Sequence, residues 1–274
     1  MSPASSRFLW RLGAAFTALA LAGCASRPAV VPPSQWPAPL AAGPTTDVLL
    51  LGEQHDAPDH QRLQRDTVQW LAARGRLAAL VLEMAERGHS TQALPRDATE
   101  AQVQAALQWH NAAWPWAAYG PVTMAAVRAG VPVLGGNLPR SAMAAAMQET
   151  RWDAHLAATA HQQLHDALQD GHCGLLPAAR LPAMARIQIA RDASLAKTAQ
   201  EAVRPGQTVL LVAGGEHVLR HRGIPTHWPV SLTSKVASAL TDKAQAATET
   251  GVDMVITTAP LPPHDACAAL HTPK

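Results

Sequence analysis

The chain has 274 residues, with 22 Lys+Arg against 20 Asp+Glu and a formal charge of +2. That near-balance argues against a nucleic-acid binder, which needs a clustered basic excess. Charged residues make up 15% and apolar residues 48%, which excludes disorder along most of the length and leaves enough chain for a sizeable core.

Residues 1–23 hold Arg7 and Arg11, no acidic residue, and the apolar run Leu12–Gly23. A basic start followed by an apolar run too short to span a bilayer is the pattern of an export signal. It ends in Leu21-Ala22-Gly23-Cys24, which resembles a bacterial lipobox, with Cys24 the residue to be acylated. Ala25 rather than Asp follows Cys24, so the expected destination is the outer membrane. Cleavage there removes Arg7 and Arg11, and the 22 basic residues fall to 20, equal to the acidic count. It also removes Phe8, Phe16 and Trp10, leaving seven tryptophans and one tyrosine, Tyr119.

Residues 24–46 carry Pro28, Pro32, Pro33, Pro37, Pro39 and Pro44. Proline at that density prevents helix and central strand, so the segment is expected to be a semi-rigid tether, with the folded domain at 47–274.

From Asp47 onward, short apolar runs alternate with helical patterns. Val48–Leu51, Leu77–Leu82, Val131–Leu134, Thr208–Ala213 and Val252–Thr257 read as buried strands. A helix capped by Asp59 and closed by Gly75 lies between the first two, and Thr99–His110, Pro139–Met147, Asp153–Gln169 and Leu181–Val203 follow as helices. The alternation predicts an α/β fold, a mainly parallel open sheet flanked by helices, with a helix-rich insertion or cap from His155 to Val203. Cys173 and Cys267 are able to pair in an oxidising compartment, or His172-Cys173 to bind metal.

Strand ends carry the candidate chemistry. Gly52-Glu53-Gln54-His55 echoes Gly214-Gly215-Glu216-His217, each following an apolar strand, and Glu83 follows Leu80-Val81-Leu82. In open α/β sheets ligands sit beyond the carboxyl ends of the strands. Glu53 and His55, two apart on extended backbone, share a face. With Glu83 and His217 they form an oxygen and nitrogen set suited to a divalent ion such as Mn, Zn or Co, or else they cap the next helix and satisfy loop amides. No Gly-x-Ser-x-Gly elbow is present, which argues against a serine hydrolase.

Gly52-Glu53-Gln54-His55-Asp56, Glu83-Met84, Trp116-Ala117-Ala118-Tyr119-Gly120-Pro121, Gly136-Asn137-Leu138-Pro139-Arg140, His172-Cys173-Gly174, Gln188-Ile189-Ala190-Arg191-Asp192 and Gly214-Gly215-Glu216-His217 occur in the order of the ChaN family. Over residues 47–230 the chain resembles these haem-binding lipoproteins of the Tiki/TraB-type superfamily, itself similar to erythromycin esterases. The resemblance implies two roles. As a haem-binding protein in iron uptake or storage, the chain would use Tyr119 as the iron ligand, Trp116 as a stacking wall, and His55 or Arg140 at the propionates. A homodimer sharing the haem and an outer-membrane haem receptor are the partners implied. As a metal-dependent hydrolase it would use Glu53, His55, Glu83, His217 and Arg191. The rival expectation for Tyr119 and the neighbouring tryptophans is plain core packing.

Overall fold

The computed structural model describes residues 27–242, 245, 249–263 and 267–268. The stretch expected as an export signal, and Cys24, lie outside the described residues. A seven-stranded sheet, all parallel, runs in the order β1-β7-β6-β2-β5-β3-β4. Its strands are β1 (Ala29–Val31), β2 (Val48–Glu53), β3 (Leu77–Glu86), β4 (Val133–Asn137), β5 (Thr208–Gly214), β6 (Ser234–Leu240) and β7 (Met254–Thr257). The α-helices among the described residues are α1 (Pro58–Ala72), α2 (Glu100–Ala106), α3 (Trp116–Arg128), α4 (Arg140–Gln148), α5 (Ala158–Gly171) and α6 (Leu181–Ala202).

Strand periodicity of two divides the apolar residues between the sheet's faces. Leu49, Leu51, Leu80, Leu82, Leu210 and Val212 face one way and pack on Leu63, Val68 and Leu71 of α1 and Val122, Ala126 and Val127 of α3. Val48, Leu50, Val81, Val209 and Leu211 face the other way, onto Leu195, Ala196 and Ala199 of α6. Burial on both faces explains the continuous apolar runs, each large side chain contributing about 1.5–3 kcal/mol. Within the helix-rich stretch, α6 is therefore a sheet-packing helix. Only α5 is an added layer, closing a smaller core of Leu156, Leu164, Leu168 and Ile189. Near the end of α5, Cys173 pairs with Cys267, their Cα atoms 5.7 Å apart across 94 residues.

Several boundaries differ from expectation. The stretch expected as a tether does not run free: Ala29–Val31 pairs with β7, and Trp36 and Leu40 are buried in the main core. An edge strand tolerates flanking prolines, and the Trp36 indole N–H donates to Thr67 Oγ1 of α1 at 2.7 Å. The folded unit thus begins before Asp47. Asp59 does not cap α1; Ala57 holds the cap position without a side-chain bond, and Asp59 pairs with Arg62 in the first turn. β4 continues through Gly135-Gly136, because a Cβ at Gly135 would lie 2.1 Å from the Glu86 carbonyl oxygen, where only glycine fits.

Candidate functional site

Parallel strands deliver their carboxyl ends to one edge of the sheet. Because β5 lies between β2 and β3, Gly214 sits between Glu53 and Glu83. Its missing side chain leaves room for convergence, since a Cβ there would stand 3.0 Å from His55 Nε2 and 3.6 Å from Glu83 Oε2.

Two histidine–carboxylate pairs result. In the first, Glu53 Oε1 receives the Tyr119 hydroxyl at 2.8 Å and faces His55 Nδ1 at 2.8 Å, while Gln64 Nε2 donates to Oε2. Since the carboxylate only accepts, His55 Nδ1 is the donor, and Nε2 is turned toward Gly214 and Glu83. The Tyr119 oxygen, having given its proton to Glu53, lies 3.2 Å from the same Nδ1. In the second pair, His217 Nδ1 meets Asp192 Oδ1 at 2.5 Å.

Glu83 stands between the pairs and is almost fully buried. Arg191 Nη2 donates to its Oε1 at 2.6 Å and the Gly214 N–H to its Oε2 at 2.8 Å. His217 Nε2 is 3.6 Å from Oε1 and His55 Nε2 is 3.9 Å from Oε2. Asn137 fixes the arrangement, donating to the Glu83 carbonyl at 2.8 Å and accepting from Arg191 Nε at 3.0 Å.

Protonation follows from this wiring. Burial works against a charged His55, but the Glu53 hydrogen bond and the charges of Glu83 and Glu53 outweigh it and lift the ring above its ordinary value. Burial likewise opposes charge on His217, and the fields of Asp192 and Glu83 overcome it. Burial would raise the Glu83 carboxyl, yet His217, Arg191 and His55 hold it below the usual carboxylate range. Asp192 goes up, because burial outruns its partners. The Tyr119 phenol is pushed up by burial and by the Glu53 carboxylate.

Glu53, His55, Glu83 and His217 are therefore brought together as the strand ends suggested, and Arg191, named from the resemblance, joins them. The divalent-ion expectation fares differently. Among the described residues no group of three or more His, Cys, Asp or Glu side chains is arranged to hold a metal ion. The reason is saturation: both Glu83 oxygens, both Glu53 oxygens and His217 Nδ1 already have partners, and Arg191 supplies the positive charge a metal would bring. His172-Cys173 is not a metal pair either, since Cys173 is in the disulfide and His172 Nδ1 donates to the Leu168 carbonyl.

The remaining candidates separate. Tyr119 is 1% exposed, inside the core. Trp116 stands away from the strand ends, against Trp109, with its indole N–H on Glu100 at 2.8 Å. Trp114 takes the position beside the site, edge-on to His55 with centroids 4.8 Å apart. Arg140 is exposed on the rim of a cavity of about 370 Å³ that Glu83 and Arg191 border, with Trp114, Met84, Leu138 and Met143 as apolar walls and His89 and His110 on its lining. A smaller hollow of about 180 Å³ opens beyond His217 and Asp192. A larger one of about 800 Å³ between α4 and α6 contains none of the converging residues.

Asp192, Asn137 and Gln64 are site residues that sequence reasoning missed. Asp192 and Asn137 stood inside the quoted motifs but were given no role, and no local signal marked Gln64. Gly214→Ala should cost about 1–3 kcal/mol by forcing His55 to give way, measured as a lower urea midpoint at unchanged slope.

Three comparisons with known proteins bear on this arrangement. The model of the family described as haem-binding uptake, Tiki superfamily, ChaN matches residues 40–228. A solved structure described as "Cofacial heme binding to ChaN of Campylobacter jejuni" aligns with a TM-score of 0.61 at 23% identity, covering 76% of this chain and 86% of that one. No curated protein matches the chain.

Proposed function

Because the chain belongs to the ChaN family of the Tiki superfamily, the family of haem-binding uptake proteins, we propose that it binds haem in the cavity at the carboxyl ends of β3 and β4. The observation that carries this reading is the lining: an indole wall at Trp114 with Met84, Leu138 and Met143 for a flat apolar ring, and the guanidinium group of Arg140 for carboxylates. That donor set fits haem, whose macrocycle is apolar and whose propionates are anionic. Haem would bring an iron centre able to take a protein ligand; Trp114, Met84, Leu138 and Met143 would orient the ring and shield it from water, and Arg140 would pair a propionate.

A lipid on Cys24 would hold the protein at the outer membrane, where it would store haem or pass it on from a receptor. The description of the Campylobacter jejuni structure as binding haem cofacially supports a second copy of the chain covering the exposed face of the ring.

Titration of the full chain in mild detergent with ferric haem should give a saturable absorption change. Arg140→Ala should weaken binding about 10-fold through loss of one charged hydrogen bond. Absence of saturation in the unaltered protein overturns the reading.

One observation favours a second reading. Two histidine–carboxylate pairs flank an arginine-held glutamate, an arrangement able to take a proton from water and return it to a leaving group without a metal. Ester hydrolysis by the purified chain, insensitive to chelators and lost in His217→Ala, would support it.

A further inference from the structure

The layer added by α5 holds imidazoles that the strand-end site does not use. His161 and His165 stand one turn apart on α5, half-buried, at the i, i+4 spacing that brings side chains together. Neither lines the cavity assigned to haem. Their ring centroids are 4.5 Å apart and the rings are inclined at 65°. Nε2 of each ring is buried and has no hydrogen-bond partner. A buried polar atom left alone costs about 1–3 kcal/mol, and in a folded chain it ordinarily has a water or an ion against it. Two such atoms on neighbouring rings point to one partner that takes a lone pair from each.

The ring geometry suits an ion. Lone pairs of imidazole nitrogens lie in the ring plane, so two inclined rings can aim theirs at one point. An ion at the usual zinc–nitrogen distance of about 2.0–2.1 Å from each Nε2 is compatible with centroids 4.5 Å apart. The other histidine pair of this layer fails the same criterion. His155 and His227 are stacked within 10° of parallel, so their lone pairs run side by side, and His155 Nε2 already meets Thr226 Oγ1 at 2.9 Å.

The surrounding charge favours a cation. Asp153 bears electrostatically on His161, and Asp166 on His165. Arg186 takes both Asp153 oxygens, whereas Asp166 Oδ1 receives the neutral Gln162 amide at 2.9 Å and keeps its negative field.

We propose that His161 and His165 chelate one divalent transition ion through their Nε2 atoms, with water completing its coordination. Imidazole nitrogen suits Cu(II), Ni(II) and Zn(II), and Cu(II) is bound most tightly of the three. Each neutral ring gives the ion its Nε2 lone pair and keeps its proton on Nδ1; a doubly protonated ring releases one proton to water. With two protein ligands, where a structural zinc site has four, the pair takes up and releases its ion.

The test uses the haem-free full chain carrying Cys24→Ser, which removes the one thiol outside the disulfide, titrated with Cu(II). It should show a saturable site whose electron paramagnetic resonance spectrum carries two nitrogen ligands, and Zn(II) should raise its melting temperature. His161→Gln and His165→Gln should each weaken Cu(II) binding about 100-fold through loss of the chelate, and each should lose the two-nitrogen pattern. Glutamine is the better helix former, so α5 persists in both variants, which circular dichroism checks. His155→Gln should leave the affinity unchanged.

No saturable Cu(II) binding, or an affinity unaltered in both His161→Gln and His165→Gln, would overturn the proposal and leave water as the partner of the two rings. A loss confined to His155→Gln would overturn it too, placing the ion on the stacked pair. None of these outcomes bears on the haem reading.

Discussion

Replacing Arg191 with alanine should lower unfolding stability by about 3–5 kcal/mol at pH 7, the usual loss when one partner of a buried ion pair is removed. Glu83 is 2% exposed, and Arg191 Nη2 is its nearest cation at 2.6 Å. Without the guanidinium the carboxylate keeps the Gly214 N–H and the more distant His217 and His55, too little to offset its lost hydration. Asn137 would lose its Arg191 partner as well. The companion Glu83→Gln in the alanine background should recover part of the loss, so a double-mutant cycle should give a coupling of at least about 1 kcal/mol.

The sign with pH is fixed by Glu83, whose folded carboxyl lies below its unfolded value. Its stabilisation is present above the unfolded value and is lost as pH falls through the folded one, so the gap between wild type and variant should narrow in acid. Urea unfolding at pH 7 and pH 3.5 checks both parts. A loss under 1 kcal/mol at pH 7 would mean that Glu83 does not depend on Arg191 for its charge.

Why some of this was legible before any coordinates follows from the kind of signal each residue gives. Glu53 and His55 were readable as a pair because strand periodicity alone puts residues two apart on one face. Glu83 and His217 were readable because a parallel sheet must deliver all its carboxyl ends to one edge. Arg191 was named without its partner. α6 is buried on several sides, at Ile187, Ile189, Asp192 and Leu195, so no polar stripe says which way a guanidinium points.

The elements missed share one cause, local composition that tertiary packing overrides. α3 contains Gly120-Pro121, which reads as a loop, yet the helix forms because Tyr119, Val122 and Val127 bury against the sheet and α1. β6 is Ser-Lys-Val-Ala-Ser-Ala-Leu, too small and polar for a buried strand by composition, and it exists because β2 and β7 flank it on either side. Being the sole tyrosine of the chain drew attention to Tyr119; only the contact with Glu53, 66 residues away, shows that the hydroxyl is already committed.

The second large effect is acid sensitivity centred on His60, which no functional argument requires. His60 is 1% exposed. Nδ1 accepts the Gln54 N–H at 2.9 Å, and Nε2 meets Thr258 Oγ1 at 3.0 Å, so the ring ties the loop carrying His55 to the end of β7. That bonding suits the neutral ring, and burial drives its pKa down to about 4 against the weaker opposing pull of Asp56. His227, stacked on His155 with ring centroids 3.9 Å apart, is depressed to about 3 by burial and by that neighbour. For both groups the folded value lies below the unfolded one near 6.5. Their stabilisation is complete above pH 6.5 and is lost as pH falls toward 4 and 3.

At 1.36 kcal/mol per unit, His60 alone represents about 3 kcal/mol, most of it gone by pH 4. His55 and His217, shifted upward, act in the opposite sense, so the contribution of His60 has to be isolated by difference. His60→Gln keeps an acceptor within reach of Gln54 but does not titrate. It should be less stable than wild type at pH 7 by about 1–2 kcal/mol and nearly equal to it or better at pH 4.5. Parallel stability curves for the two proteins between pH 7 and pH 4.5 would show that the buried imidazole is not what acid attacks.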